Sequence, residues 1–247
     1  MKAIILAAGR GSRMKELTSE IPKCLLKINN KPLIEIQIAQ FKKAGINDIC
    51  IVTGYKNELL SKYPYKKIKN NDWASTQMVT SLMQASDWIN ESPFVVSYSD
   101  IFYEASAIHL ILRNNENLSI LYDLNWRRLW EKRFSNPLDD AETFRIDQNS
   151  FLTEIGNKTN KINDIQGQYM GILYFSEFGW KSTLKVINSL DQSQIKNLDM
   201  TNLLKIILSL KEIKIKAIPY KGIWGEVDNK KDLYFYNDNF KSFKEIF

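Results

Sequence analysis

Near its N-terminus the chain reads Ile4-Ile5-Leu6-Ala7-Ala8-Gly9-Arg10-Gly11-Ser12-Arg13-Met14, and Pro22-Lys23 follows a short distance later. The apolar first part predicts a buried strand that runs directly into a small cationic loop. Gly9 and Gly11 permit backbone conformations closed to other residues, so main-chain N–H groups can approach a polyanion closely. Arg13 and Lys23 add full positive charges beside them. The loop is therefore predicted to hold a nucleoside triphosphate.

Two other glycine-rich phosphate loops fit this stretch poorly. The dinucleotide-binding fingerprint needs a third glycine where Met14 stands, and the P-loop needs Gly-Lys-Ser/Thr at the start of a helix. An ordinary surface turn with solvated basic residues is the alternative that this loop alone leaves open.

Strand and helix patterns alternate through the first half of the chain. Strands are predicted at 2–7, 48–53 and 94–98, and amphipathic helices are predicted at 32–44 and from near Met78. Later in the chain, further strands are predicted at 120–122, 142–155 and 168–175. Such repetition implies right-handed crossovers and a sheet covered by helices on both faces. We therefore predict an α/β, Rossmann-like, mainly parallel sheet flanked by helices, in one domain spanning residues 1–247.

Ligands of such sheets bind outside the carboxyl ends of the strands. This rule places the loop after Leu6, the Gly54-Tyr55 turn and Asp100 along one rim. Asp100 ends an apolar strand, where a lone carboxylate is unusual unless it faces that rim. These separate segments are predicted to form one site.

The opening stretch resembles the L-A-A-G-x-G-x-R…P-K signature of the nucleotidyltransferases that activate sugar phosphates and related phosphoesters. The resemblance continues through Lys31-Pro32-Leu33-Ile34, Gly54-Tyr55 and Asp100 to Glu226-Val227-Asp228. Within that superfamily the chain is most similar to the small cytidylyltransferases of the phosphocholine cytidylyltransferase type. The resemblance implies transfer of CMP from CTP to a small phosphorylated or phosphonate acceptor, with release of pyrophosphate, in the service of surface-polymer modification.

The resemblance also implies roles for the residues of the rim. Lys23 and Arg13 would act on the reacting phosphorus and the leaving pyrophosphate, and Asp100 and Asp228 would bind Mg²⁺. A helix N-cap before Asn229 is the alternative for Asp228. The residues predicted to bind the nucleotide are Leu6, Ala7, Ala8, Gly9, Gly11, Ser12, Gly54, Tyr55 and Ser99.

Aromatic, basic and acidic residues are unusually dense at 126–142, within an insertion at approximately 123–175 that is predicted to cap the site on its acceptor side. The predicted acceptor-binding residues are Asn71, Trp126, Arg133, Asp139, Asp140, Glu142, Lys158 and Gln168. Aromatic rings enclose quaternary ammonium groups, whereas carboxylates suit a primary amine. Phosphocholine, an aminoalkylphosphonate and a phosphorylated amino acid or its amide all stay open. The alternative for this run is a corner in which Trp126 and Trp130, one helical turn apart, pack on the core.

Composition limits the remaining classes. The 247 residues include Cys24, Cys50 and a single histidine, His109, so neither a disulfide framework nor a Cys/His zinc site is indicated. The net charge of +6 comes from scattered lysines without a basic helix. We expect that the protein binds neither nucleic acid nor a membrane and that it is cytoplasmic. A homodimer is a possible assembly. A sugar-1-phosphate nucleotidyltransferase and a non-catalytic nucleotide or nucleic-acid binder are the competing functions.

Overall fold

The computed structural model describes residues 1–246 of the chain, with the backbone alone at residues 244 and 245. The strands are, in chain order, β1 (Lys2–Ala7), β2 (Lys27–Ile28), β3 (Lys31–Pro32), β4 (Asp48–Thr53), β5 (Lys66–Lys69), β6 (Phe94–Tyr98), β7 (Ile101–Tyr103), β8 (Leu118–Asp123), β9 (Phe144–Ile146), β10 (Leu152–Ile155), β11 (Gln168–Phe175), β12 (Lys216–Tyr220) and β13 (Trp224–Glu226). The α-helices are α1 (Leu33–Lys43), α2 (Met78–Met83), α3 (Ser86–Ile89), α4 (Ala105–Leu112), α5 (Trp126–Arg133), α6 (Glu177–Asn188), α7 (Gln192–Lys196), α8 (Met200–Leu210) and α9 (Lys230–Asp238).

Within the described residues, seven strands form the central sheet, in the order β12-β8-β11-β6-β1-β4-β5. Strand β1 lies between β4 and β6 and pairs with both in parallel. Strand β11 runs antiparallel to its two neighbours, β6 and β8, so the sheet is mixed at this position. The predicted α/β fold with a mainly parallel sheet flanked by helices is confirmed.

The apolar run of β1 is continuous because both faces of this strand are covered. Ile4 and Leu6 pack into the hydrophobic cluster on one face of the sheet, and Ala3, Ile5 and Ala7 pack into the cluster on the other. Successive side chains of a strand point to opposite faces, so a central strand covered on both sides needs apolar residues at every position. This burial fixes the strand that delivers the glycine loop to the rim.

A short antiparallel pair joins two distant parts of the chain at the same rim. Strand β7 pairs with β13, so that Ile101 lies opposite Glu226. The N–H of Val227 donates a hydrogen bond to the carbonyl of Asp100 at 2.9 Å. Asp228 is thereby carried next to Asp100.

The segment predicted as an acceptor-side insertion contains α5, the antiparallel pair β9–β10 and β11. Residues 168–175 belong to the central sheet rather than to a separate cap. In β11 the pairing with β8 is irregular between Tyr169 and Leu173, where Gly171 has a φ of +74°. Such a bulge turns side chains away from the regular alternation. None of the helices described is both long and apolar enough to cross a membrane.

Asp123, at the end of β8, is a buried carboxylate whose charge should limit stability. Its side chain accepts a hydrogen bond from the N–H of Asn125 at 2.7 Å, but burial raises the pKa of Asp123 to about 6. Because the pKa of Asp123 is raised in the folded state, folding favours the protonated form of its carboxyl group. The stability that the protonated carboxyl provides is present below about pH 4 and is lost as the pH rises through about 6. We expect Asp123→Asn to raise the free energy of unfolding by roughly 1–3 kcal/mol at pH 8 and to change it little at pH 4.

Urea unfolding at the two pH values measures this effect. The exposed Asp48 at the start of β4, changed to asparagine, is the control and should show little difference between them. An equal effect of Asp123→Asn at pH 4 and pH 8 would contradict the assignment.

Candidate active site

Lys23 is a buried lysine, 7% exposed, whose ammonium group lies between two carboxylates. Its Nζ donates to Oδ2 of Asp100 at 2.7 Å and to Oδ1 of Asp228 at 3.3 Å. Burial lowers the pKa of Lys23, but Asp100 and Asp228 outweigh that effect, and the net pKa is raised. The lysine is therefore charged and holds the two carboxylates at one point of the rim.

The glycine loop packs directly on the stem of Lys23. Gly11 has a φ of +74°, and a Cβ added there would lie 2.8 Å from the Lys23 side chain. Gly11 is thus required twice, by its left-handed conformation and by the close approach of the lysine. Two residues on, Arg13 pairs with Oδ1 of Asp228 at 3.0 Å while its side chain stays 71% exposed. Most of the Arg13 side chain is therefore in contact with solvent while its guanidinium pairs with Asp228.

Asp228 faces this cluster and does not cap the following helix. Asn229 is the N-cap of α9, and its side chain accepts from the N–H groups of Lys231 and Asp232. The alternative assignment of Asp228 as the N-cap is therefore wrong. Burial raises the pKa of Asp228, but the charges of Lys23, Arg13 and Arg133 outweigh burial and leave the net pKa below its ordinary value. The carboxylate is ionised in the cluster.

The two aspartates offer a fitting pair of donors for a divalent cation. Both oxygens contact the same Lys23 nitrogen, at 2.7 and 3.3 Å, so they are no more than about 6 Å apart. Carboxylate oxygens are the ligands that Mg²⁺ prefers, together with water and phosphate oxygens. Among residues 1–246 no group of three or more acidic, histidine or cysteine side chains is arranged to hold a metal. A cation at this point would thus take its other ligands from a bound nucleotide and water.

The residues predicted to bind the nucleotide line the start of the same rim. Leu6, Ala7 and Ala8 are buried, and the N–H of Tyr55 donates to the carbonyl of Ala8 at 2.9 Å. A Cβ on Gly54 would meet that same carbonyl at 2.6 Å, so only glycine fits the turn. Gly9 and Ser12 are exposed on the loop, and Ser99 is half-buried beside Asp100. Their contacts with a nucleotide stay a prediction.

A cavity of about 250 Å³ opens directly beside the Lys23 cluster. Asp100, Asp228 and Arg13 line it together with Asp140, Glu142 and Gln168. Its walls also include residues that the sequence had not singled out as ligands, namely Tyr98, Trp130, Thr143, Tyr169, Thr201 and Glu226. The cavity thus joins Arg13 and the two predicted metal ligands to three of the predicted acceptor residues.

Two half-buried carboxylates mark the acceptor side of the cavity. Asp140 accepts a hydrogen bond from the indole N–H of Trp130 at 3.0 Å, and burial raises its pKa. Burial also raises the pKa of Glu142, while the charge of Lys158 lowers it. Gln168 donates to the backbone carbonyl of Glu142 at 2.8 Å and so fixes this segment. Lys158 itself is exposed near both carboxylates.

Trp126 and Arg133 were predicted to bind the acceptor, and this prediction is wrong for both. Neither is among the described residues that line the cavity. Trp126 is buried in the core and packs edge-on against Trp130, with ring centroids 6.1 Å apart. The core-packing alternative therefore holds for Trp126. Arg133 has no exposed side-chain surface and is paired with Glu226 at 2.8 Å, so it is not available to bind an acceptor.

Asp139 and Asn71 are exposed at the edges of the site. Asp139 lines a neighbouring surface cavity that also contains Arg13, and it accepts a hydrogen bond from the side chain of Asn136. At the turn that carries Asn71, the buried residue is Asn70, whose amide donates to Thr76 and Ser81. Asn70 therefore shapes the turn, and a ligand contact of Asn71 stays a prediction.

Several known proteins are similar to this chain in sequence. Residues 3–123 match the model of the MobA-like NTP transferase domain. The CTP:phosphoglutamine cytidylyltransferase of Campylobacter jejuni is 35% identical over 94% of this chain and 98% of its own length. The choline-phosphate cytidylyltransferase of Streptococcus pneumoniae is 46% identical over a shorter region, 33% of this chain and 38% of that protein.

Two solved structures share the fold. The inositol-1-phosphate CTP transferase from T. maritima aligns with a TM-score of 0.77 at 16% identity, covering 99% of this chain and 95% of that one. The CTP:phosphocholine cytidylyltransferase from Streptococcus pneumoniae aligns with a TM-score of 0.70 at 20% identity, covering 97% and 98%. These likenesses establish the fold, and the similarity to the Campylobacter jejuni enzyme over nearly the full length of both chains establishes the family. The chain therefore belongs to the nucleotidyltransferase superfamily, in the group that contains the small cytidylyltransferases.

Proposed function

We propose that the protein transfers CMP from CTP to a small phosphorylated acceptor that bears an amino group, forming a CDP-linked product and releasing pyrophosphate. The observation that carries the proposal is the meeting of Lys23, Asp100 and Asp228 beside a cavity that contains Asp140 and Glu142. A relative of nearly the same extent that is named for phosphoglutamine supports the acceptor class. We also propose that CTP is the donor and that the reaction takes place in the cytoplasm. The activated product would serve surface-polymer modification.

The reaction is a single in-line displacement. An oxygen of the acceptor phosphate attacks the α-phosphorus of CTP, a new P–O bond forms, and the electron pair of the broken bond leaves with pyrophosphate. The acceptor oxygen is already anionic, so no general base is needed. Cys24, next to Lys23, does not serve as a nucleophile because burial raises its thiol pKa to about 12. No covalent enzyme intermediate is required.

The cations of the site act on the charge of the triphosphate. The ammonium group of Lys23 would move from Asp100 and Asp228 to contact the oxygens around the reacting phosphorus. The exposed Arg13 would contact the leaving pyrophosphate. Mg²⁺ held by Asp100 and Asp228 would neutralise and orient the phosphates. At an effective dielectric constant of about 20, each charge close to the phosphates contributes roughly 4 kcal/mol before desolvation.

The acceptor side of the cavity favours a primary ammonium group. Burial raises the pKa of both Asp140 and Glu142. A buried carboxylate needs a charged or hydrogen-bonding partner. A primary ammonium donates hydrogen bonds to such oxygens, whereas a quaternary ammonium donates none and depends on aromatic faces. The rings of Tyr98, Trp130 and Tyr169 on the same walls suit a quaternary ammonium, so the preference for an amino-acid or amino-acid-amide phosphate over phosphocholine rests on the two carboxylates.

Glu142→Gln tests this acceptor assignment. We expect the KM for phosphoglutamine to rise about 10-fold or more, because a hydrogen bond to a charged group is lost, while the KM for CTP stays within about twofold. Steady-state pyrophosphate release with either substrate varied measures both constants. Glu212 is exposed and distant in the sequence, so the control variant Glu212→Gln should change neither of the two KM values. An unchanged acceptor KM in the Glu142 variant would remove Glu142 from the acceptor site.

Pyrophosphate release tests the function as a whole. The purified protein is incubated with Mg²⁺, each of the four NTPs, and phosphoglutamine, 2-aminoethylphosphonate, phosphocholine or a sugar 1-phosphate. The proposal predicts release with CTP and an amino-bearing acceptor. Faster release with a sugar 1-phosphate would favour the sugar-phosphate alternative. Tight, salt-sensitive nucleic-acid binding without turnover would favour a non-catalytic binder.

A further inference from the structure

Arg133, the last residue of α5, is an arginine buried among carboxylates. Its Nη1 donates to Oε1 of Glu226 at 2.8 Å, and its Nε and Nη2 donate to Asp232 at 2.9 and 3.1 Å. Its Nη2 also lies 3.5 Å from Oδ2 of Asp228. A buried charge is unfavourable unless it is paired and hydrogen-bonded, and here the planar fork of one guanidinium reaches three carboxylates.

These contacts hold Asp228 from the side that faces away from Lys23. Oδ2 of Asp228 lies toward Arg133, while Oδ1 contacts Lys23 at 3.3 Å and Arg13 at 3.0 Å. The backbone N–H of Asp228 donates to Oδ2 of Asp232 at 2.9 Å. Backbone and side chain of Asp228 are thus both tied to the Arg133–Asp232 pair, and one oxygen is left directed at the cluster.

Helix α5 also reaches the acceptor side of the cavity. Trp130 lies one turn before Arg133, its ring 5.0 Å from the guanidinium, and it stacks on Trp224 with ring centroids 6.0 Å apart. The indole N–H of Trp130 is the donor to Asp140. One helical turn therefore supports Asp140 on the acceptor side and Asp228 on the triphosphate side.

We propose that Arg133 is a positioning residue, which fixes Asp228 so that its Oδ1 faces the divalent cation and the triphosphate. The proposal rests on the proposed function for the identity of that cation. Residues that orient the ligands of a metal commonly change metal affinity by 10- to 100-fold when they are replaced. Lysine in place of Arg133 keeps the charge but loses the fork, so it separates the positioning effect from the loss of charge.

The test is the binding of Mn²⁺, used as a probe for Mg²⁺, in the presence of CTP and without acceptor, followed by electron paramagnetic resonance. We expect Arg133→Lys to weaken Mn²⁺ binding about 10-fold, with CTP binding in the absence of metal changed by less than about twofold. Arg127→Lys is the matched control on the same helix, because Arg127 is 61% exposed and forms a surface ion pair with Glu131. The control should bind Mn²⁺ like the unaltered protein.

Unchanged Mn²⁺ binding by a folded Arg133→Lys variant would overturn the proposal, as would the absence of CTP-dependent Mn²⁺ binding by the unaltered protein. If circular dichroism shows that Arg133→Lys does not fold, Asp232→Asn takes its place, and unchanged Mn²⁺ binding by that variant overturns the proposal in the same way. Failure of the proposed function looks different. The unaltered protein would then bind Mn²⁺ with CTP but release no pyrophosphate with any acceptor.

Discussion

Lys23→Ala is expected to lower the turnover number by about 10²–10³-fold, as when a preorganised contact to the transition state is removed. The ammonium of Lys23 contacts both aspartates, and these contacts position it at the point where the triphosphate would arrive. The KM for the acceptor should change much less than the turnover number. Stopped-flow or coupled measurement of pyrophosphate release gives both values.

The same change has a second consequence without substrate. Removing Lys23 leaves Asp100 and Asp228 facing each other without the cation between them, so the variant should be less stable than the unaltered protein in the absence of metal. Added Mg²⁺ should therefore raise the melting temperature of Lys23→Ala more than that of the unaltered protein. Lys27→Ala, an exposed change in β2, is the control for both measurements. Near-normal pyrophosphate release by Lys23→Ala would contradict the catalytic role.

Asp228→Asn is expected to have a comparable effect, a loss of about 10³-fold in turnover, which corresponds to roughly 4 kcal/mol of transition-state stabilisation. The amide keeps the size of the side chain but removes the charge that would hold the cation. The ion pairs of Asp228 with Lys23, Arg13 and Arg133 are lost at the same time. Folding should survive, because Asp232 keeps its bonds to Arg133 and to the backbone of Asp228.

Titration of pyrophosphate release against Mg²⁺ separates the metal effect from the others. In Asp228→Asn the Mg²⁺ concentration for half-maximal rate should rise at least 10-fold. Asp139→Asn is a neighbouring exposed carboxylate change and should leave that concentration unaltered. Turnover within tenfold of the unaltered protein, with the same Mg²⁺ dependence, would remove Asp228 from the metal site.

Five of the seven strands of the sheet, β1, β4, β6, β8 and β11, were predicted from the sequence because their apolar signal is local, whereas β5 and β12 were not predicted. The strands at 94–98 and 168–175 have the predicted bounds, and each is a run of mostly apolar residues. Helix α1 was predicted from Pro32 to Ala44 and spans Leu33–Lys43, with Pro32 immediately before it. The predicted strand region at 142–155 is instead two short strands, β9 and β10, joined by a turn in which Ser150 has a positive φ. The antiparallel direction of β11 depends on its distant partners β6 and β8, which the local pattern does not contain.

The site was predictable where a motif carried it and not where burial decided it. Asp100 and Asp228 meet because Asp100 lies between β6 and β7 and Asp228 follows β13, the partner of β7. Lys23 reaches them because the glycine loop after β1 packs on its side chain. Arg133 was assigned to the acceptor site because it lies in the dense run of aromatic, basic and acidic residues at 126–142. Its partners Glu226 and Asp232 lie 93 and 99 positions further along the chain. Residues two positions apart in an extended segment point to the same side. The spacing of Glu226 and Asp228 therefore already indicated that their carboxylates share a side.

The central claim is that the glycine loop, Lys23 and the two aspartates act on one triphosphate. It is tested most directly by a crystal structure of the protein with Mn²⁺ and a CTP analogue that cannot be cleaved between the α- and β-phosphorus atoms, with the metal located by anomalous scattering. The account predicts one Mn²⁺ peak in contact with the carboxylates of Asp100 and Asp228 and with the phosphates, and Lys23 Nζ moved onto the α-phosphate. A triphosphate bound away from Lys23, or a peak that neither aspartate contacts, would contradict it.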